Sequence, residues 1–542
     1  MAAALVGRRS ALRAAVQGEV PDQSFTAYAA APAGAPRGGG TLTLARSADV
    51  GGMDPGTNNN GFSEELQIHI MDTLVRYTPV SPTGMAAGKA QLAQIQPGLA
   101  ESWKISEDGL TWTFALRQGI LFHDGTPWNA DAAVYNIDRN INPQNPSYIK
   151  GKMINGPLLY SSLDSYKAVG PYTLQLKLKH RYAPLLKNLG SPYAAIVSPT
   201  ALKKYGEDFT KNPVGTGAYK FVEWVPGDHV TVERNPDWKG GKAPNFDRVI
   251  FKNVLDPTVR AAKLEAGEVD FIDAVSPDDE PRLKQSPDLV WLGVPAGVNA
   301  VLIQCQRKPF NDVRVRRALN YAINRDELNS TLYRGAAKPV NSPVPPYIPG
   351  YDASLKPIPF DLQQAKALLA QAGYPNGFDA HMITYNTAFF YNPIGGVRLA
   401  EAVQQYLAAL NVKVSIEVLD VGGWLSKRRP GQFDLCVAGW GGSNEDIDGF
   451  FYPVLHTDNM YKTNNCLISD PKLNNMIIAG QGEYDPAKRN AIYANAQRYV
   501  MDILPWIYIN YAQYGMAARK RVNDLLLYRI WDRWTQQAWA SQ

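Results

Sequence analysis

The 542-residue chain has little cysteine, little histidine and no long apolar run, and each shortage removes a class of protein. The three cysteines, Cys305, Cys436 and Cys466, form no CxxC or other metal-type cluster. The six histidines form no HExxH, so no zinc signature is present and neither a metal site nor a cofactor is expected. No stretch reaches the about 18 apolar residues that a membrane-spanning helix needs. The formal net charge is only +5, and no lysine/arginine run is long enough to clasp nucleic acid.

What is present is globular in character. Apolar residues make up 45% and charged residues 19%. The 28 Tyr and 12 Trp supply cores, and amphipathic rings of this kind also line ligand clefts. The length predicts two or three lobes rather than one core. Residues 1–39 differ from the rest. GRRSALRAAV is basic and alanine-rich, and QSFTAYAAAPAGAPRGGG is a small-residue linker. This segment reads as a tail or a remnant export segment, and no early cysteine could carry a lipid.

From Gly40 the patterns become ordered. TLTLARS alternates as a strand, and EELQIHIMDTLV reads as a helix. WTFALRQGILFHDGTPW predicts paired strands joined at Gln118-Gly119, ending in an Asp124-Gly125 turn. Asp256 can cap a helix with Pro257 at its first position and Gly267 as its stop. Asp361 and Gln364 form a capping-box-like pair for a helix stopping at Gly373. Leu399, Val403, Tyr406, Leu407 and Leu410 share one helical face, and VKVSIEVLD follows as a strand. This alternation predicts a parallel or mixed sheet with helices on its faces. In VRVRRALNYAI, Val315, Ala318, Leu319 and Ala322 make the apolar face, which leaves Arg314, Arg316 and Arg317 mostly solvated. His123 and Asp124 fit turn chemistry better than catalysis.

AGWGGSNEDIDGFF, residues 438–451, admits three readings. As a calcium loop it places Leu455 where a bidentate carboxylate is required, and its glycines disfavour the incoming helix. As a glycosidase pair, Glu445, Asp446 and Asp448 sit too close in sequence to face each other readily across a bond. As a ligand wall, Trp440 stands at the C-terminal end of the strand pattern FDLCVAG, where open α/β sheets bind ligands. Its flanking Gly441 lets a ligand approach, and the indole offers a flat face and one N–H donor. A core tryptophan with turn glycines stays open as the alternative. Tyr385 and Asn386 end another short strand, HMITYN, and are further candidates.

Six stretches, in order, carry a resemblance. They are LAESWKISEDGLTWTFALRQGILFHDGTPWNADAAVYNIDR (99–139), NPVGTGAYKF (212–221), LEAGEVDF (264–271), KPFNDVRVRRALNYAINRDEL (308–328), AKALLAQAGYPNGF (365–378) and FDLCVAGW (433–440). Together they resemble the extracytoplasmic solute-binding proteins of ABC importers, in the dipeptide/oligopeptide/nickel-binding family (family 5). The resemblance implies an α/β, two-lobed periplasmic-binding-protein fold (class II, large type) with a subdomain inserted in lobe I. Lobe I would be 40–295, with the subdomain at about 80–200. Lobe II would be 296–504, and 505–542 would return to lobe I. The ligand would be trapped by hinge closure.

The resemblance also implies the site. Trp440 and Gly441 fall where the family contacts its ligand, and Trp424 matches an aromatic at the start of the preceding helix. Met53, Asp54 and Asn58 match the ligand-facing loop of lobe I in position. Peptide-binding relatives place an aspartate three residues after the tryptophan to pair with a peptide's α-amino group. Here that position is Ser443, so the usual anchor is absent, and Asp446, Arg428 or Arg429 could substitute only by a changed geometry. The resulting expectation is a monomeric periplasmic protein without catalytic residues. It captures a small polar organic solute, peptide-like or other, and delivers it to a membrane permease. A non-peptide ligand such as an oligosaccharide or opine is the alternative, and a glycoside hydrolase-like enzyme is the alternative of a different class.

Overall fold

In this computed structural model, which describes residues 38–58, 61–80, 94–442, 444–528 and 533–541, the alternating TLTLAR becomes the strand Thr41–Arg46. The side chain of Pro295 is also outside the described set. Residues 1–37, which include most of the expected tail or export segment, lie outside it, as do Asn59, Asn60 and Ser443. Among the described residues no helix is long and apolar enough to cross a membrane.

The chain divides into two units. The terminal unit holds the described residues of 38–273, 282–292 and 516–541, and the central unit holds 274–281 and 293–515. The long strands Leu289–Ile303 and Trp506–Arg519 each run from one into the other.

The terminal unit is built on a mixed sheet. Thr41–Arg46 lies parallel to both Arg248–Asn253 and Phe271–Ile272, and the antiparallel strands His229–Arg234 and Tyr219–Val225 extend it. Leu42, Leu44, Val249 and Phe251 are fully buried, which fixes the register by sidedness. A separate antiparallel sheet runs Ala100–Ile105, Thr111–Leu116, Thr173–Leu178, Leu163–Gly170. The helix Ala130–Ile141, capped by Asn129, packs on it. The expected pairing across Gln118-Gly119 does not occur. Thr111–Leu116 takes its partners from 100–105 and 173–178, and a short bridge of Leu121 with Pro127 closes around the Asp124-Gly125 turn. Asp124 accepts from the Thr126 N–H at 3.0 Å and the Ser198 hydroxyl at 2.5 Å, the turn role expected of it.

The helix expected through Val75 stops at Ile70, and Val75–Tyr77 is a strand. The Gly217 N–H takes the Ile70 carbonyl at 2.9 Å, and a Cβ on Gly217 would sit 2.5 Å from that turn, so a backbone packed from elsewhere ends the helix. Arg46, Glu65, Asp273 and Arg533 are all buried and together form an ionic cluster that holds the C-terminal segment.

The central unit contains the predicted βα alternation. Asp379–Tyr385 is parallel to Lys413–Leu419 on one side and to Leu435–Trp440 on the other. Leu435–Trp440 then pairs antiparallel with Leu289–Ile303, with Val298 opposite Trp440. Helix Leu362–Gln371 is capped by Asp361, which accepts from the Gln364 N–H at 2.8 Å, and Gly373 follows at φ +92. Helix Gly396–Ala408 buries Leu399, Val403 and Leu407, and Leu410 is buried just beyond it. Tyr406, expected on that face, is half-buried, and its hydroxyl donates to Glu327 at 3.0 Å. Arg316 is buried rather than solvated. Its guanidinium donates to the Ile503 and Phe310 carbonyls, and Arg317 donates to Asp502, so two arginines cap the end of helix Pro486–Ile503.

Candidate ligand-binding site

Three parallel strands of the central unit end together, at Tyr385, Leu419 and Trp440. The Asn386 N–H continues the ladder to the Leu419 carbonyl at 3.0 Å, while the Asn386 side chain is exposed. Asp420 then caps helix Val421–Arg428 through the Gly423 N–H at 2.6 Å. This start places Trp424 against the strand ends.

The result is an aromatic cluster. Tyr385 meets Trp424 edge to face with centroids 5.1 Å apart, and meets Phe389 at 4.7 Å. Phe389 stacks on Tyr391 at 5.3 Å. Tyr385 and Trp424 are buried, whereas Phe389 and Phe390 are half-buried. The Arg428 guanidinium lies 4.4 Å from the centroid of Trp424, and its Nε donates to Asn465 Oδ1 at 2.6 Å. A buried polar relay backs the rings: Asn299 Nδ2 donates to the Tyr333 hydroxyl at 2.6 Å, which donates to Asn392, whose amide donates to the Tyr385 hydroxyl at 2.9 Å.

Trp440 ends the strand Leu435–Trp440, directly after Gly439. A Cβ on Gly439 would sit 2.2 Å from the Tyr391 ring, and one on Gly297 would sit 2.1 Å from the Trp440 carbonyl, so both positions need glycine. Trp440 is half-buried, and Gly441 is buried. The indole N–H, which the sequence offers as a ligand donor, donates instead to the Gly449 carbonyl at 2.7 Å. Trp440 is left with its ring face.

The acids that follow fold into the protein. Asp446 caps the turn Ile447–Phe450 by accepting from the Asp448 N–H at 2.9 Å. Arg489 donates to both Asp446 oxygens, at 3.0 and 2.6 Å, and both side chains are largely buried. Asp448 accepts from the Tyr493 hydroxyl at 2.7 Å and Gln481 at 3.1 Å. Burial, then the charge of Asp446, pushes the Asp448 carboxyl up to about 7. Glu445 is buried in the same loop. This is no EF-hand, because the residues after Asp446 form a tight turn rather than a ligand arc.

The terminal-unit candidates form a tied loop of their own. The Met53 N–H is bonded to Thr210, and Asp54 forms a buried ion pair with Arg139. Asp54 also accepts from the Gly56 N–H at 2.9 Å. The Asn58 amide donates to the Gly52 carbonyl at 3.0 Å, and Asn155 donates to the Asn58 carbonyl at 2.9 Å. A cavity of about 370 Å³ lies elsewhere on the central unit, by Tyr351, Asp352 and Asn490, and the strand ends do not line it.

Of the residues singled out in the sequence, Tyr385 and Trp424 are in ring contact, and Trp440 ends the neighbouring strand. Sequence reasoning missed Phe389, Tyr391 and Asn392, which lie in NTAFFYNPIGG, a stretch without periodicity. It also missed Arg489. The only signal for the first group is their position directly after a strand end.

Comparison with known proteins decides the family. The sequence model described as bacterial extracellular solute-binding proteins, family 5 Middle, matches residues 94–462. The chain belongs to this family. It is the solute-capturing component of an ABC importer, with the two-lobed fold of the periplasmic binding proteins. A glutathione-binding protein, GsiB of Pectobacterium atrosepticum, is 32% identical over 439 residues, spanning 78% of this chain and 82% of the relative. The ABC transporter-associated periplasmic binding protein DppA of Helicobacter pylori, solved with the peptide STSA, has a TM-score of 0.84 at 28% identity, covering 93% of this chain and 99% of that one. AgaA of A. tumefacien R10, solved with agropinic acid, has a TM-score of 0.82 at 25% identity, covering 93% and 99%.

Proposed function

We propose that this family 5 protein captures a small, peptide-like solute rich in carboxylates and without a free ammonium group, and hands it to a membrane permease. Trp440, Gly441, Trp424, Tyr385 and Asn386 form its wall in the central unit; Met53, Asp54 and Asn58 are the candidate contacts of the terminal unit, taken by itself. The observation that carries this reading is the Asp446–Arg489 pair. It withdraws the carboxylate that could have replaced the aspartate missing at Ser443, while Arg428 is held over the aromatic cluster. A buried ammonium without a carboxylate partner costs several kcal/mol, so this wall favours ligands recognised by their carboxylates and amides. The solutes named for GsiB and AgaA both carry carboxylates, which supports this class.

The protein works as a periplasmic monomer, without nucleic acid and without catalysis. The acids of the 445–448 loop support this last point, since Asp446 is neutralised by an arginine and Asp448 is bonded to Tyr493 and Gln481. An opine-like, non-peptide solute is the second reading, and the pairing of Asp446 with Arg489 favours it equally. Calorimetry with glutathione, an opine, and short peptides with free and acetylated amino groups separates the readings. Acetylation should leave peptide affinity within about tenfold, because little ammonium pairing is lost. A loss of binding on acetylation that is reproduced by Glu445→Gln would identify an ammonium anchor in this loop and contradict the proposal.

A further inference from the structure

Two of the three cysteines meet in the central unit. Cys305 follows the strand Leu289–Ile303, and Cys466 lies in the irregular segment before helix Pro471–Gly482. The Cys305 N–H donates to the Cys466 carbonyl at 2.9 Å, which makes the residues direct neighbours. Cys305 is 8% exposed and Cys466 fully buried. The two thiols flank this one backbone bond, in a buried setting. Cys305 Sγ also lies 3.3 Å from the Ile303 carbonyl, and Cys466 Sγ lies 3.3 Å from Asn464 Oδ1. Cys436 is buried in the strand Leu435–Trp440, with its Sγ against the Val437 carbonyl at 3.5 Å.

The pair is chemically unequal. Burial, and then the contact with Cys466, pushes the Cys305 thiol well up. Burial also opposes ionisation of Cys466, but bonds from Cys305, the Ile468 backbone and Trp506, with the charge of Arg316, outweigh it and bring this thiol down. Such an arrangement provides one nucleophilic sulfur and one resolving sulfur. The family works outside the cytoplasm, where thiols this close meet oxidants.

We propose that Cys305 and Cys466 are a disulfide-forming pair that fastens the 464–468 segment to the end of the long strand. The oxidant is a disulfide donor, either a small molecule such as oxidised glutathione or a protein disulfide. During refolding, while Cys466 is still open to solvent, its thiolate attacks one donor sulfur; a mixed disulfide forms, the donor S–S bond breaks and one donor thiolate leaves. Cys305 then gives up its proton and attacks the Cys466 sulfur, expelling the second donor thiolate. Two protein thiols are oxidised, one donor disulfide is reduced to two thiols, and the protons end on the donor. The bond stabilises by restricting the unfolded chain.

The full chain, unfolded and refolded with oxidised glutathione, tests this directly. Alkylation after unfolding without reductant should label one thiol, Cys436, and a peptide linking Cys305 to Cys466 should be recovered. The intact mass should fall by about 2 Da, reflecting the two hydrogens lost on oxidation. Reduction should lower the melting temperature by roughly 5 °C or more. Cys305→Ser should raise the count of labelled thiols from one to two. Labelling of all three thiols in the refolded wild type, or a link that involves Cys436, overturns the proposal. Cell fractionation tests the extracytoplasmic reading separately: a pair that links in the tube supports this proposal wherever the chain is found.

Discussion

Arg489 grips both carboxylate oxygens of Asp446, at 3.0 and 2.6 Å, in the loop that follows Trp440. The pair is largely removed from water, so breaking it leaves a charge buried without its partner. Asp446→Asn should destabilise the protein by ~3–5 kcal/mol. Urea unfolding measures this. A variant as stable as wild type would mean that the loop opens to water and that Asp446 is available to a ligand after all.

Trp440 offers its ring, since its N–H is held by Gly449. Trp440→Ala should weaken solute binding by ~1–3 kcal/mol while the protein still unfolds cooperatively. Trp440→Phe should retain most of the affinity, because it preserves a flat face. Loss of the fold in the alanine variant would instead assign the ring to the core.

Arg428 is the cation that the aromatic cluster holds. Arg428→Gln should weaken a carboxylate-bearing solute by ~1.5–3 kcal/mol, and its amidated analogue much less. Equal loss for both would reduce Arg428 to packing on Trp424. Titration calorimetry with the matched pair of solutes reads the difference.

Stability should respond to pH with opposite slopes from different residues. Asp448 is pushed up to about 7 by burial and Asp446, so between its ordinary 3.8 and about 7 the folded chain holds a proton that the unfolded chain has released. Its contribution is full at low pH and is lost as pH rises through about 7. His69 and His123 are pushed down to about 4 by burial, so their contribution is full above the ordinary 6.5 and is lost as pH falls toward 4. Asp448→Asn should therefore gain on wild type in melting temperature between pH 5 and pH 8. A pH-independent difference would contradict the shifted carboxyl.

Local signals in the sequence were legible wherever one element set its own terms. Asp256 and Asp361 cap the helices they were expected to cap, and the alternation at 379–385 and 413–419 gives the strands. Long-range partners were not legible. Thr111–Leu116 looked able to fold back on its neighbour, yet it pairs across more than fifty residues of intervening chain with 173–178. Arg316 looked solvated because helical spacing alone cannot show the carbonyls of a distant helix end. The strand ends at Tyr385 and Trp440 could be placed from pattern, whereas the aromatic residues after Tyr385 follow no period. Arg489 shares no local motif with Asp446, 43 positions earlier in the chain.

Native mass spectrometry of the protein isolated from cells that make it, with the bound solute released and identified, reads the proposed ligand class directly. The prediction is a small organic anion, carrying carboxylate and amide groups, that leaves the protein chemically unchanged. A cationic solute, a bare metal ion or a chemically converted product would contradict it.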